Sequence, residues 1–231
     1  MKNPMLGEYF EGDMRFAKGY DIKSGIIGSR YRWPNNTVPY IISSSFSTDE
    51  EEIVLGALAE ISEKTCIRFV QRFSQRDYVS IVRGKPNSGC WSYIGKIGGG
   101  QLLNLQAGPR PHCIYHGTVV HEMTHALGFH HEQSRTDRDD YVNILWNNII
   151  PKFKHNFNKY SSSQVDSQEM PYDYSSIMHY DAYAFALNTS KPTIVPKSDV
   201  QIGQKKGLSA LDTEKLKTMY RCKTPKFPYT N

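Results

Sequence analysis

The chain has 231 residues, of which 39% are hydrophobic and 22% charged, a composition that can bury a core without metal or disulfide staples. Its net charge of +5 is scattered, and Lys205-Lys206 is only a pair, so no nucleic-acid-binding stripe is expected. No apolar run approaches the ~20 residues of a membrane helix, and Met1-Lys2-Asn3-Pro4 carries no apolar signal-peptide core.

That N-terminus fits either a cytosolic protein or a chain lacking its first segment. The cysteines favour the second. Four are present, Cys66, Cys90, Cys113 and Cys222, and none forms a Cys-x-x-Cys knuckle. Spacing leaves all three pairings open. Two sequons, at Asn35 and Asn188, are compatible with glycosylation. Together with the motif described below, these features point outside the cell.

In chain order, residues 1–23 are polar, lack a sustained period and resemble an extended leader. Val38 to Ser43 reads as a strand. Thr48 and Glu51 form a capping-box pattern. Val54, Leu58 and Ile61 then recur at helical spacing, predicting a helix over 48–64. Strands are expected at 67–70 and 78–82. The stretch 95–100 holds four glycines but no following Gly-Lys-Ser/Thr, so it is expected to be a turn rather than a phosphate loop. A strand over 102–106 and a helix over 117–127 follow. After Tyr141 the pattern weakens until Ser209 and Asp212 open a last helix that runs to Cys222. Strands and one helix first, then helical and irregular structure, predict an α+β protein with two lobes.

The informative run is His121-Glu122-Met123-Thr124-His125. Helical residues four apart lie about 40° apart around the axis and about 6 Å apart along it, so the two imidazoles can grip one ion. Neutral imidazole suits Zn²⁺. Glu122, beside the first ligand, can take a proton from a water whose pKa zinc lowers to about 7. Gly128 follows His125 by three residues, and His131 follows Gly128 by three. Glycine leaves a helix cheaply through a left-handed conformation, which would bring His131 back to the same ion. Three nitrogens and one open position describe a catalytic zinc site, and the extended spacing is the metzincin signature. His130 competes for the third place, but the spacing favours His131. His112, His116, His155 and His179 are expected at the surface or in hydrogen bonds.

Continuing through Glu132-x-x-Arg135-x-Asp137-Arg138-Asp139-x-Tyr141-Val142, this run resembles the astacin signature, and Ser176-Ile177-Met178-His179-Tyr180 resembles the astacin Met-turn. The similarity extends from Trp33 to Cys222. It implies a two-lobed metzincin fold: a twisted, mostly parallel N-terminal sheet with two long helices, an irregular C-terminal lobe and a deep cleft between them. It implies a zinc metalloendopeptidase with one zinc on His121, His125 and His131 and with Glu122 as general base. Tyr180 would be a displaceable fifth ligand that then stabilises the oxyanion, and Met178 an apolar floor beneath the ligands.

The resemblance also implies disulfides Cys66–Cys222 and Cys90–Cys113, and a substrate-binding edge strand near 102–106. Phe10-Glu11-Gly12-Asp13 is similar to the family's pro-segment motif, with Asp13 on the zinc keeping the enzyme latent. The implied organisation is a pro-segment over 1–23, a catalytic domain over 24–222 and a short tail over 223–231. A trypsin-like protease would cut after Lys23 and free Ser24 to pair with Glu132. Lys197 stands where some relatives carry a basic specificity residue. Without further modules, the expectation is a secreted, monomeric protease with protein substrates such as extracellular matrix and no nucleic-acid or membrane partner. The layout is similar to arachnid venom and digestive enzymes acting on gelatin, fibronectin or fibrinogen. Alternatives are an egg-hatching type, although its extra cysteine pair is missing, and a non-catalytic binding protein, which would have lost Glu122 or a ligand.

Overall fold

The structure is a computed structural model that describes residues 3, 5–17, 29–161 and 170–223. Lys23 and Ser24, the expected cleavage point, lie outside the described residues, as does all of the expected tail beyond residue 223. The elements in chain order are β1 (Met14–Arg15), β2 (Thr37–Ile42), α1 (Thr48–Lys64), β3 (Arg68–Gln71), β4 (Tyr78–Gly84), β5 (Cys90–Tyr93), β6 (Gly100–Gln106), α2 (His116–Ala126), β7 (Val142–Ile144), β8 (Ile194–Pro196) and α3 (Ala210–Met219).

α1 has its expected bounds, but its capping box sits one residue earlier than Thr48 and Glu51. Ser47 Oγ accepts from Glu50 N at 3.3 Å, and Ser47 N donates to Glu50 Oε2 at 3.0 Å. Both registers fit the pattern. Arg83 on β4 decides between them, because its guanidinium grips the same Glu50 carboxylate at 2.8 and 3.1 Å. α3 starts as expected, with Ser209 and Asp212 capping each other.

The main sheet runs β1-β5-β6-β4-β2-β3, and every pairing is parallel except β5 with β6. This corrects the expected substrate edge. The strand containing 102–106 lies inside the sheet between β4 and β5, and the outermost strand on that side is β1, which pairs with β5. Four residues are too few to show a period in the sequence. β5 is fixed instead by its neighbours: Cys90 is bonded to Cys113, and the Gly-rich turn returns the chain into β6. Asp77 holds that turn by accepting from Gly99 N at 2.7 Å and Lys96 Nζ at 2.9 Å.

Two cores divide the molecule. In the first, Val54, Leu58 and Ile61 of α1 pack with Ile81, Leu103 and Leu105 of the sheet, Val119, Val120 and Met123 of α2, and Leu216 of α3. The second is aromatic and includes Phe153, Phe157, Tyr172, Tyr180 and Phe185. Met178 belongs to the first and Tyr180 to the second, so the Met-turn lies on the seam. Residues 5–17 are not a loose leader. Glu11, Gly12, Asp13 and Met14 are buried, and β1 extends the sheet by pairing with β5. Among the described residues no helix is long and apolar enough to cross a membrane.

The disulfides are Cys66–Cys222 and Cys90–Cys113, closing 156 and 23 residues respectively. Loop-closure entropy assigns about 5 kcal/mol to the longer loop and about 3 kcal/mol to the shorter. Cys66→Ala/Cys222→Ala is therefore expected to lower the thermal midpoint more than Cys90→Ala/Cys113→Ala. Equal losses in parallel melts would contradict that ordering.

Candidate metal centre

α2 is buried along nearly its whole length, so its last carbonyls need protein partners. Trp33 Nε1 donates to Ala126 O, Tyr220 OH to Leu127 O and Gly95 N to His125 O, each at 2.9 Å. The helix then ends in a Schellman turn: Gly128, at φ 109°, donates to His125 O at 2.8 Å, and Phe129 N to Thr124 O at 3.2 Å. The reversal brings His131 back over His125, with ring centroids 4.8 Å apart.

Ligand atoms of His121, His125, His131 and Asp13 all lie within 4.8 Å of one another and are buried. The Asp13 carboxylate is 3.2 Å from His121 Nε2, 3.4 Å from His125 Nε2 and 3.3 Å from His131 Nε2. The other ring nitrogens define the tautomers. His121 Nδ1 meets Ile177 O at 2.8 Å, and His125 Nδ1 meets Phe129 O at 2.7 Å. A carbonyl only accepts, so Nδ1 carries the proton and the Nε2 lone pair faces the centre. His131 Nδ1 likewise donates to Glu11 Oε2 at 2.8 Å.

Imidazole lone pairs and a carboxylate converging away from water repel one another unless a cation sits among them. His125 Nε2, His131 Nε2 and Asp13 Oδ1 are buried without hydrogen-bond partners, as metal ligands would be. The donor set, three imidazoles and one carboxylate, suits zinc. His130 stands outside the group, and its ring packs against Phe16 and Tyr160.

Glu122 is also buried, and neither carboxylate oxygen has a partner. Burial, and then the Asp13 charge, push its pKa well above the ordinary carboxylate value, the direction a base working near neutral pH requires. Tyr180 lies beside His131, with centroids 4.7 Å apart. Its hydroxyl donates to the Glu11 carbonyl, not to a side chain. Met178 is buried in the first core, in a turn that Ser176 Oγ closes by accepting from Met178 N at 3.0 Å. Burial pushes the His179 pKa down to about 4, and its neutral ring bonds Tyr172 OH at 2.7 Å.

The remaining expected residues lie further out. Asn35 and Asn188 are exposed, as is Lys197, whose ammonium donates to Asp139 O. Glu132 is buried and already paired: Lys215 Nζ lies 2.8 and 2.7 Å from its two oxygens, and Arg135 Nη1 is 3.5 Å away.

Three contributors were not legible in the sequence. Glu11 occupies the variable place in Phe-x-Gly-Asp, yet it engages His131, Ser134 Oγ and, through its backbone N, Asn156 Oδ1. It adopts φ 45° beside Gly12 at φ 91°, where a Cβ would come within 2.8 Å of Met5 O. Asp212 and Lys215, three apart on α3, brace the site from behind. Asp212 accepts from Ser176 Oγ and Ile177 N in the Met-turn, and Lys215 holds Glu132, whose backbone N donates to Met178 O at 3.1 Å. Their spacing on one helical face was the available signal.

Removing one partner of a buried ion pair leaves the other charge stranded, at a cost of about 3–5 kcal/mol. Lys215→Met should show a loss of that size in denaturant unfolding. Glu132→Gln/Lys215→Met should lose less than the two single changes summed. Strict additivity would mean the pair is not coupled.

Residues 26–221 match the family model described as Astacin, a peptidase family. Zinc metalloproteinase nas-4 of Caenorhabditis elegans is 38% identical over 232 residues, covering 95% of this chain and 71% of that protein. Meprin A subunit beta of Homo sapiens is 44% identical over 225 residues, covering 95% of this chain but only 31% of the subunit. High choriolytic enzyme 1 of Oryzias latipes is 44% identical over 188 residues, covering 80% of this chain and 66% of that protein. The solved structure of that hatching enzyme zinc-protease superposes with a TM-score of 0.75 at 42% identity, covering 83% of this chain and 94% of the other. Myroilysin, at 23% identity and a TM-score of 0.57, shares the fold. With the histidine cluster, the sheet topology and these matches in agreement, the chain belongs to the astacin family of zinc metalloendopeptidases.

Proposed function

We propose that this chain is the latent form of a secreted endopeptidase, with zinc held by His121, His125 and His131, and by Asp13 until the leader is removed. The observation that carries this reading is the convergence of three Nε2 lone pairs, each fixed by a proton on Nδ1, around one carboxylate. Bound zinc supplies Lewis acidity, which lowers the pKa of water and polarises a scissile carbonyl.

The chain's own groups do the rest. Glu122, desolvated and free of partners, takes the proton of the attacking water and passes it to the leaving amine. Tyr180 exchanges the Glu11 carbonyl for the oxyanion and donates to it. Met178 keeps the floor dry. In the latent form Asp13 fills the place water needs, and the Glu11 carbonyl occupies the Tyr180 hydroxyl.

In this reading residues 1–23 are the pro-segment, 24–222 the catalytic domain and 223–231 a tail. A trypsin-like cut after Lys23 frees the Ser24 ammonium to join Lys215 and Arg135 at Glu132. Asn35 and Asn188 are exposed acceptors for glycans, and Lys197 offers a cation to acidic residues beyond the cut. The substrates are extracellular proteins, with gelatin, fibronectin and fibrinogen as test cases for a venom or digestive enzyme. The likeness to high choriolytic enzyme 1 supports a hatching-type role as the second reading.

Trypsin treatment of the full chain should produce gelatin cleavage that a zinc chelator abolishes. Glu122→Gln should retain stoichiometric zinc in metal analysis while turnover falls by about 10²–10⁴-fold. Undiminished cleavage by that variant would remove Glu122 from the chemistry. Asp13→Ala should weaken zinc binding by the uncut chain in a chelator competition, and unchanged affinity would show that Asp13 does not hold the metal.

A further inference from the structure

The leader leaves an imprint on the cleft wall beyond the metal. β1 lies parallel to β5, with Ser92 N donating to Asp13 O at 2.9 Å and Ile94 N to Arg15 O at 3.0 Å. These are edge-strand donors that an extended substrate would use. Asp13 and Arg15 are two apart and leave the strand on the same side. Asp13 enters the histidine cluster. The Arg15 guanidinium enters a ring of aromatics: its carbon lies 4.6 Å from the Trp91 centroid, 5.2 Å from Tyr93 and 5.6 Å from Tyr9. No carboxylate pairs with Arg15 among the described residues, so π faces are what hold this cation.

The walls of this cage have different owners. Tyr9 belongs to the leader and packs on Trp91 with centroids 5.2 Å apart. Trp91 and Tyr93 belong to β5 and meet edge-to-face at 6.1 Å. Trp91 is only 6% exposed beneath the leader, and its Nε1 is buried without a hydrogen-bond partner. Departure of the leader uncovers a large aromatic pair on the strand that receives substrate.

We infer that Trp91 and Tyr93 form a specificity subsite for a cationic side chain, arginine or lysine, near the scissile bond, and that Arg15 occupies it in the latent chain. The inference rests on the reading of residues 1–23 as a removable leader. The offset of two residues between Asp13 and Arg15 places the subsite about two residues from the bond that is cut. A guanidinium there gains from both ring faces, whereas uncharged citrulline of the same shape gains only packing.

Two measurements test this. With the trypsin-treated enzyme, fluorogenic peptides carrying Arg, Lys, citrulline or norleucine at each of the three positions either side of the bond should reveal one position where Arg exceeds citrulline in kcat/KM by about 3–30-fold. That ratio should fall towards one in Trp91→Leu and be partly kept in Trp91→Phe, which also serves if the leucine variant misfolds. With the trypsin-treated Glu122→Gln protein, which retains the site without turnover, tryptophan fluorescence titration should show the Arg peptide binding tighter than its citrulline twin. Equal binding and equal cleavage of the two peptides at every position would overturn the subsite. Gelatin cleavage that persisted beside that result would leave the protease reading intact. Absence of all cleavage together with preferential Arg binding would sink the protease reading and keep the subsite.

Discussion

The structure depends on making a buried concentration of negative potential tolerable. His121, His125 and His131 each donate from Nδ1 and so turn a lone pair inward, where the Asp13 carboxylate meets them. Such an arrangement is costly without a cation and strongly binding with one. Much of the surrounding architecture serves to fix those three Nδ1 protons. Two acceptors are main-chain carbonyls, Ile177 in the Met-turn and Phe129 in the turn after α2. One glycine therefore does two things: the Schellman turn at Gly128 brings His131 back and also presents the Phe129 carbonyl to His125.

The Met-turn is held as firmly, from the opposite side. α3 meets it with Asp212, which caps its own helix while gripping Ser176 and Ile177. It meets the third-ligand segment with Lys215, through Glu132. Cys66–Cys222 anchors the far end of α3 to the strand lobe. Positioning of the histidine cluster is thus distributed over both cores and over chain segments far apart in sequence.

What the sequence disclosed follows from how local each determinant is. α1 and α3 were legible from periodicity and caps, and α2 with its histidine run was legible because that geometry is set within eleven residues, from His121 to His131. The register of the α1 cap was missed because Arg83, far along the chain, chooses between two adequate boxes. β5, the strand that separates 102–106 from the β1 edge, was missed because it is short and owes its place to a disulfide and a hairpin partner. Glu11 and Lys215 had no motif to announce them. Their roles come from partners more than eighty residues away, and no window on the sequence brings such pairs together.

Glu11 carries one further consequence. Among the three clustered histidines, only His131 finds its Nδ1 acceptor within residues 5–17; the other two rely on Ile177 and Phe129. Removal of residues 9–15, as proposed, would withdraw at a single stroke the carboxylate facing the cluster, the carbonyl engaging Tyr180 and the anchor orienting one imidazole. Activation by the proposed route would then be concerted rather than graded, with His131 alone among the three losing its Nδ1 acceptor.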